Sequence, residues 1–221
     1  MSESTYVCRA FDRPIRIAAL ISGGGRTVLN LVDKISNGEL SAEIPLVIAS
    51  RANCSGVKRM ADADLTCEVL SPRKLDVGRY SETLFELVRR HQVDLVVMAG
   101  FLSLVLIPDD FQRKVINIHP SLIPAFCGQG FYGNKVHQAA IERGVKVSGC
   151  TVHFADNHYD HGPIILQKTV AVPDGATADD LASLVFDAEC EAYPEAIRRY
   201  ASGNLMIENG RVILASDVSD T

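Results

Sequence analysis

The chain has 221 residues, 47% of them hydrophobic and 22% charged, with a formal net charge of −5. That is enough for one well-buried α/β domain and too little for a second complete one. The acidic balance leaves no footprint for nucleic acid or an anionic membrane, while a small phosphate ester held in a pocket stays open. Six scattered cysteines (Cys8, Cys54, Cys67, Cys127, Cys150 and Cys190) form no C-x-x-C pair and read as reduced thiols. The first residues hold no apolar signal core, and no run approaches the roughly 20 apolar residues of a membrane span. The expectation is a soluble cytoplasmic protein.

Apolar runs alternate with amphipathic segments, the pattern of a mostly parallel sheet covered by helices. Residues 1–14 read as a loosely ordered extension of a single domain over 1–221. Residues 15–21 form a strand candidate, followed by the turn SGGGR and a helix over about 27–37, with Gly38 past its end. PLVIAS gives the second strand, 56–63 a short helix and 67–70 a short strand. From 76 to 91, Tyr80, Leu84, Leu87 and Val88 recur at helical spacing. LVVMAG and VINI follow as buried strands, and a helix over 136–143 comes next. TVHF and IILQKTVAV are strands around a loop rich in histidine and glycine. Thr177 and Asp180 resemble a capping box opening a long helix, which Pro194 is expected to kink or restart. Asn209-Gly210 between apolar stretches signals a closing hairpin.

The most informative stretch is VINIHPSLIPAF. Alternate residues of a strand share a face, so Asn117 and His119 project together where the strand stops at Pro120. An amide donor beside a titratable imidazole, completed by a carboxylate from another loop such as Asp160, suits acyl or formyl transfer. A polar strand end satisfied by backbone would look the same at this level. His153 shares a face with Thr151 in TVHF and reads as either a core histidine or a support. In the SGGGR turn, glycines let a ligand approach the backbone, and the following helix offers free N–H groups to an anion. No Gly-Lys-Ser/Thr follows, as a Walker loop requires. Val28 takes the third glycine position of a dinucleotide fingerprint, and Ser50-Arg51 stands where a ribose-binding acid belongs. A phosphate monoester site with Arg26 as its charged partner is the preferred reading over an empty tight turn. Asp160, His158 and His161 make a metal cluster conceivable, but the spacing lacks cysteine partners and the expectation is no metal. Cys127 near His119 has no thiol-protease signature around it, and no G-x-S-x-G elbow is present.

LISGGG, DLVVMAGFL, INIHPSLIPAF, TVHF and YDHGPIILQ occur in that order over nearly the whole chain. In this set the sequence resembles the phosphoribosylglycinamide formyltransferases of purine biosynthesis. The resemblance implies a Rossmann-like α/β fold with helices on both faces of the sheet. It also implies transfer of a formyl group from 10-formyltetrahydrofolate, a cosubstrate, to the amine of glycinamide ribonucleotide. The family's catalytic asparagine, histidine and aspartate match Asn117, His119 and Asp160. Its phosphate side matches Gly24, Gly25, Arg26, Thr27 and Glu189. Its folate segments match Leu102, Ser103, Leu104 and Val105, with Asn117, and Asp156, Asn157, His158 and Tyr159. Thr151 and His153 are expected to support them. Asp160 is expected to favour a protonated His119 that donates to the formyl oxygen. Partners are small molecules; a homodimer is open, since sequence does not fix oligomeric state.

The chain departs from the family pattern at several points. Arg26-Thr27 replaces the usual Ser-Asn, Phe186 a lysine or glutamine that helps hold phosphate, Cys190 a histidine and Ser103 an arginine. Val77, with Arg79 close by, stands where the family has an arginine. Either Arg26 supplies the charge lost at Phe186, or the acceptor is a different amine taken by a related folate-dependent formyltransferase.

Overall fold

The computed structural model describes residues 5–215. In chain order the strands are β1 (Tyr6–Val7), β2 (Ile15–Ile21), β3 (Ala42–Ala49), β4 (Cys67–Val69), β5 (Leu95–Met98), β6 (Val115–His119), β7 (Val147–Phe154), β8 (Ile164–Ala171), β9 (Leu205–Glu208) and β10 (Arg211–Leu214). The helices are α1 (Arg26–Ser36), α2 (Ser55–Asp62), α3 (Val77–Arg90), α4 (Asn134–Arg143) and α5 (Ala178–Ala201). This is the α/β class expected, with its long last helix and closing hairpin. The larger sheet has seven strands, and the described residues fall into two compact units.

One unit comprises Pro14–Asn117 and Ala155–Tyr159. Its strands run parallel in the order β4-β3-β2-β5-β6. Strands covered on both faces need continuous apolar sequence, and β2 and β5 supply it as IRIAALI and LVVM. β3 starts earlier than the apolar run suggested. Between Glu43 and Leu46 it takes an extra step against Arg16 to Ala18 of β2, and Pro45, which has no N–H to give the ladder, falls in that bulge. α3 begins where the Asp76 carboxylate accepts from the Arg79 N–H at 3.0 Å. Its Leu84, Phe85 and Val88 are buried in one cluster with Leu20, Ile48 and Val96 of the sheet.

The other unit holds the described parts of residues 1–13, 118–154 and 160–221. β7 and β8 pair antiparallel, and α5 packs against both. The Thr177 hydroxyl accepts from the Asp180 N–H while the Asp180 carboxylate accepts from the Thr177 N–H, closing the capping box. Acidic Asp179 and Asp180 at one end and Arg198 and Arg199 at the other oppose the helix dipole. β9 and β10 pair through a tight turn in which Asn209 (φ 49°) and Gly210 (φ 72°) both adopt positive φ, as that turn demands.

Two expectations need correction. α5 does not restart at Pro194 but continues through it as one helix, because that residue is buried in a continuous apolar face with Ala192, Tyr193, Ala196 and Ile197, whose packing offsets the single missing N–H bond. The N-terminal segment is not loose from Tyr6 onward: β1 adds a strand to β9, Cys8 is buried, and the Cys8 N–H donates to the Leu205 carbonyl at 2.8 Å.

Gly149 sits where a Cβ would lie 1.9 Å from the Lys168 carbonyl oxygen, so the β7–β8 ladder closes only over glycine. Gly149→Ala should therefore lower stability by about 2 kcal/mol or more, against about 1 kcal/mol for losing the cap in Thr177→Ala. Denaturant unfolding of both variants checks the order of the two effects.

Candidate active site

β6 carries Asn117 and His119 as its third and fifth residues, the alternation that puts both on one face of the strand. His119 is buried, and Nδ1 lies 3.4 Å from Oδ2 of Asp160, which is itself 10% exposed. The other ring nitrogen, Nε2, sits 2.9 Å from the Phe126 carbonyl oxygen. A carbonyl only accepts, so Nε2 carries a proton and donates to it. The Gly128 N–H donates to Asp160 Oδ2 at 2.8 Å, and Nε2 of His153 lies 3.8 Å from Oδ1. That last separation exceeds a hydrogen bond. His153 Nδ1 is held by the Phe154 carbonyl at 2.8 Å. Phe126 and Asp160 both take positive φ, 49° and 54°, a region costly for residues other than glycine.

The electrostatics of the pair depart from expectation in one respect. Burial pushes the His119 imidazole below its ordinary value of 6.5, outweighing the attraction of Asp160 and the bond to Phe126. In the resting protein the ring is therefore neutral at pH 7, not imidazolium. Desolvation dominates because taking the ring out of water penalises its charged form more than a carboxylate at 3.4 Å repays. For Asp160, burial raises the pKa, but His153, His119 and the Gly128 N–H together bring it below its ordinary 3.8. The Cys127 thiol is raised by burial and by Asp160, which disfavours the thiolate a nucleophile would need.

The Thr151 hydroxyl donates to the Ser121 carbonyl at 2.7 Å and accepts from the Ile123 N–H at 3.0 Å, tying the segment after His119 to β7. Gln167 reinforces this, its amide donating to both the Thr151 hydroxyl and the Ile123 carbonyl. Sequence reasoning missed Gln167, and also Gly128 and the Phe126 carbonyl, whose backbone groups leave no residue-type signal. It also missed His137 on α4, a buried histidine whose pKa is lowered by burial and then by His119.

In the other unit, the second segment that the resemblance assigns to folate is bonded to the chain just past the first. Asn157 Oδ1 accepts from the Ile107 N–H at 2.8 Å, holding the 156–159 loop against the chain that follows Leu102. Asp156 accepts from the His158 N–H at 2.8 Å, while His158 and Tyr159 are exposed. Of the first segment, Leu102 is exposed, Ser103 and Leu104 are half-buried, and Val105 belongs to the core. Buried Ser22 links this segment to the glycine turn: its hydroxyl accepts from the Leu102 N–H at 2.9 Å. Gly25, at φ 68°, caps α1; Arg26 is exposed at the first helical position, with Thr27 after it. Glu189 is half-buried on α5, close enough to Cys150 to help burial push that thiol up to about 12.

A mostly parallel α/β sheet is shared by many enzyme classes, and sequence comparison makes the class specific. The formyl transferase family model matches residues 15–197, and the chain belongs to that family. It is 38% identical to glycinamide ribonucleotide transformylase 1 from Symbiobacterium toebii, with a TM-score of 0.85 over 92% of this chain and 95% of that one. The phosphoribosylglycinamide formyltransferase of Anaplasma phagocytophilum is 34% identical with a TM-score of 0.80, covering 91% and 94%. A chloroplastic phosphoribosylglycinamide formyltransferase from Vigna unguiculata is 35% identical over 82% of this chain, which spans 59% of that protein's length. The human trifunctional purine biosynthetic protein adenosine-3 is 35% identical over 89% of this chain, which spans 19% of its length.

His119 and Asp160 both bind their protons less tightly folded than unfolded, so stability is full above about pH 6.5. It falls as acid titrates first His119 and then Asp160. Asp160→Asn removes the one charge holding the His119 value up, and NMR titration of the ring should show that value falling further. A rise on substitution would mean that Asp160 is not the ring's electrostatic partner.

Proposed function

We propose that this chain transfers the formyl group of 10-formyltetrahydrofolate to the amine of glycinamide ribonucleotide in purine biosynthesis. The observation that carries the reading is the buried His119–Asp160 pair at the end of the strand bearing Asn117. The acceptor amine attacks the formyl carbon, and the carbonyl electron pair moves onto oxygen. The Asn117 amide and the His119 Nε2–H donate to that oxygen, which takes the place now held by the Phe126 carbonyl. One preorganised donor of this kind is worth roughly 3 to 4 kcal/mol in the transition state.

His119, neutral at rest, takes the proton released by the amine at Nδ1, where Asp160 balances the imidazolium. The tetrahedral adduct then collapses, the bond from the formyl carbon to the folate nitrogen breaks, and the proton passes to that nitrogen. No step requires a metal. Gly24, Gly25, Arg26, Thr27 and Glu189 are assigned to the acceptor's phosphate side. Leu102 to Val105 and Asp156 to Tyr159 are assigned to folate, largely through backbone groups. The acidic net charge supports small-molecule partners over nucleic acid, and no helix among the described residues is long and apolar enough to cross a membrane. A cytoplasmic setting fits the reduced cysteines.

Phe186, half-buried on α5 where the resemblance expects a phosphate-holding lysine or glutamine, favours one second reading: the same formyl chemistry on a different amine.

Formyl transfer to glycinamide ribonucleotide should fall about 10²–10³-fold in kcat for Asn117→Ala and at least as far for His119→Ala, the latter with folate affinity little changed. Near wild-type turnover in His119→Ala would remove this site from the reaction. Folate binding without turnover on this acceptor would leave the second reading. Because the neutral ring is the proton acceptor, kcat/KM should climb with pH through the depressed His119 value and then level. A fall between pH 6 and 7 would instead restore imidazolium as the active form.

A further inference from the structure

The glycine turn is held by a feature that its own sequence does not contain. Three consecutive carbonyls of the turn are each bonded by the segment from Arg51 to Arg59. Arg51 Nε donates to the Ser22 carbonyl at 2.8 Å, the Gly56 N–H donates to the Gly23 carbonyl at 3.1 Å, and Arg59 Nη1 donates to the Gly24 carbonyl at 2.8 Å. The three peptides are trans, and in a trans peptide the N–H points opposite to the C=O. Fixing these carbonyls toward residues 51–59 therefore turns the N–H groups of Gly23, Gly24 and Gly25 the other way. Among the described residues none of the three donates to a protein acceptor.

The contact is fitted closely. A Cβ on Gly56 would lie 2.6 Å from the Gly23 carbonyl oxygen, and one on Gly24 would lie 2.8 Å from Arg59 Nη1. Both glycines are thus needed for α2 and its arginine to reach the turn. Arg59 is itself exposed, so a single bond to a backbone carbonyl adds little to global stability, whereas it fixes the plane of the peptide that leads into α1. Oriented amides at the start of a helix, with guanidinium charge beside them, suit a doubly charged phosphate monoester.

We infer that Arg59, assisted by Arg51, is a positioning residue for the acceptor's phosphate: it holds the glycine turn with its amides preset toward the anion. This rests on the formyltransferase reading above. It also adds to the expectation that Arg26 replaces the charge missing at Phe186, because Arg51 and, on α2, Arg59 bring two further guanidinium groups to the glycine turn.

The test compares steady-state kinetics of Arg59→Met and Arg59→Lys on glycinamide ribonucleotide and on the same amine lacking its phosphate. Arg59→Met should raise KM for the phosphorylated acceptor about tenfold, the worth of one charge-assisted bond. The kcat, the KM for formyl folate and the KM for the unphosphorylated amine should not move. Arg59→Lys, which still reaches a carbonyl with one charged donor, should recover most of the loss. Isothermal titration with inorganic phosphate should show the same order of affinities. If wild-type protein does not distinguish the two acceptors and binds no phosphate, the phosphate assignment of the turn is wrong. If wild-type protein distinguishes them and Arg59→Met does so equally well, or raises KM for both alike, the positioning role is wrong while the assignment stands.

Discussion

Much of the candidate chemistry depends on one competition, between the cost of burying His119 and the attraction of Asp160 beside it. A histidine this far from water resists charge, and a carboxylate at 3.4 Å repays part of that resistance. Burial prevails at rest, which leaves the ring able to accept a proton and the carboxylate ready to neutralise it afterwards. Both groups are fixed by backbone: the Phe126 carbonyl holds one nitrogen of the ring, and the Gly128 N–H holds one oxygen of the acid. Their loops take left-handed conformations at Phe126 and Asp160, and Thr151 and Gln167 hold the segment before Phe126 through bonds to Ser121 and Ile123.

The same logic of fixing backbone by means of side chains recurs in the glycine turn. Glycine gives the turn its freedom, and freedom is a liability in a binding site unless something removes it. Ser22, buried and bonded to both Ser50 and the Leu102 N–H, anchors the turn from one end. Arg51, Gly56 and Arg59 hold its carbonyls. Asn157 then ties the 156–159 loop to Ile107. Short, mostly polar links thus place three loops on a parallel sheet whose apolar strands carry the stability.

The outcome at Pro194 shows how local rules yield to packing. Proline removes one N–H and disfavours the preceding turn, which read alone argues for a break. Within α5 the residue lies in an apolar face buried along its length, so continuity there outweighs one bond. The N-terminal segment gives the complementary case. Tyr6 and Val7 show no strand pattern of their own, and β9 supplies the pairing that orders them.

Read alone, the sequence determined the elements whose signals are local. Apolar runs marked β2, β5 and β6, helical spacing marked α3, the Thr177–Asp180 box marked the start of α5, and Asn209-Gly210 marked the hairpin. It also determined the pairing of Asn117 with His119 on one strand, because alternation is fixed by backbone geometry. Only the tertiary structure decided how near Asp160 comes to His119, that burial rather than Asp160 sets the ring's charge, and which arginines hold the glycine turn. Those outcomes depend on desolvation and on distances between residues 32 to 41 positions apart in the chain, such as Gly128 and Asp160, His119 and Asp160, or Gly24 and Arg59. Neither quantity has a counterpart in residue order.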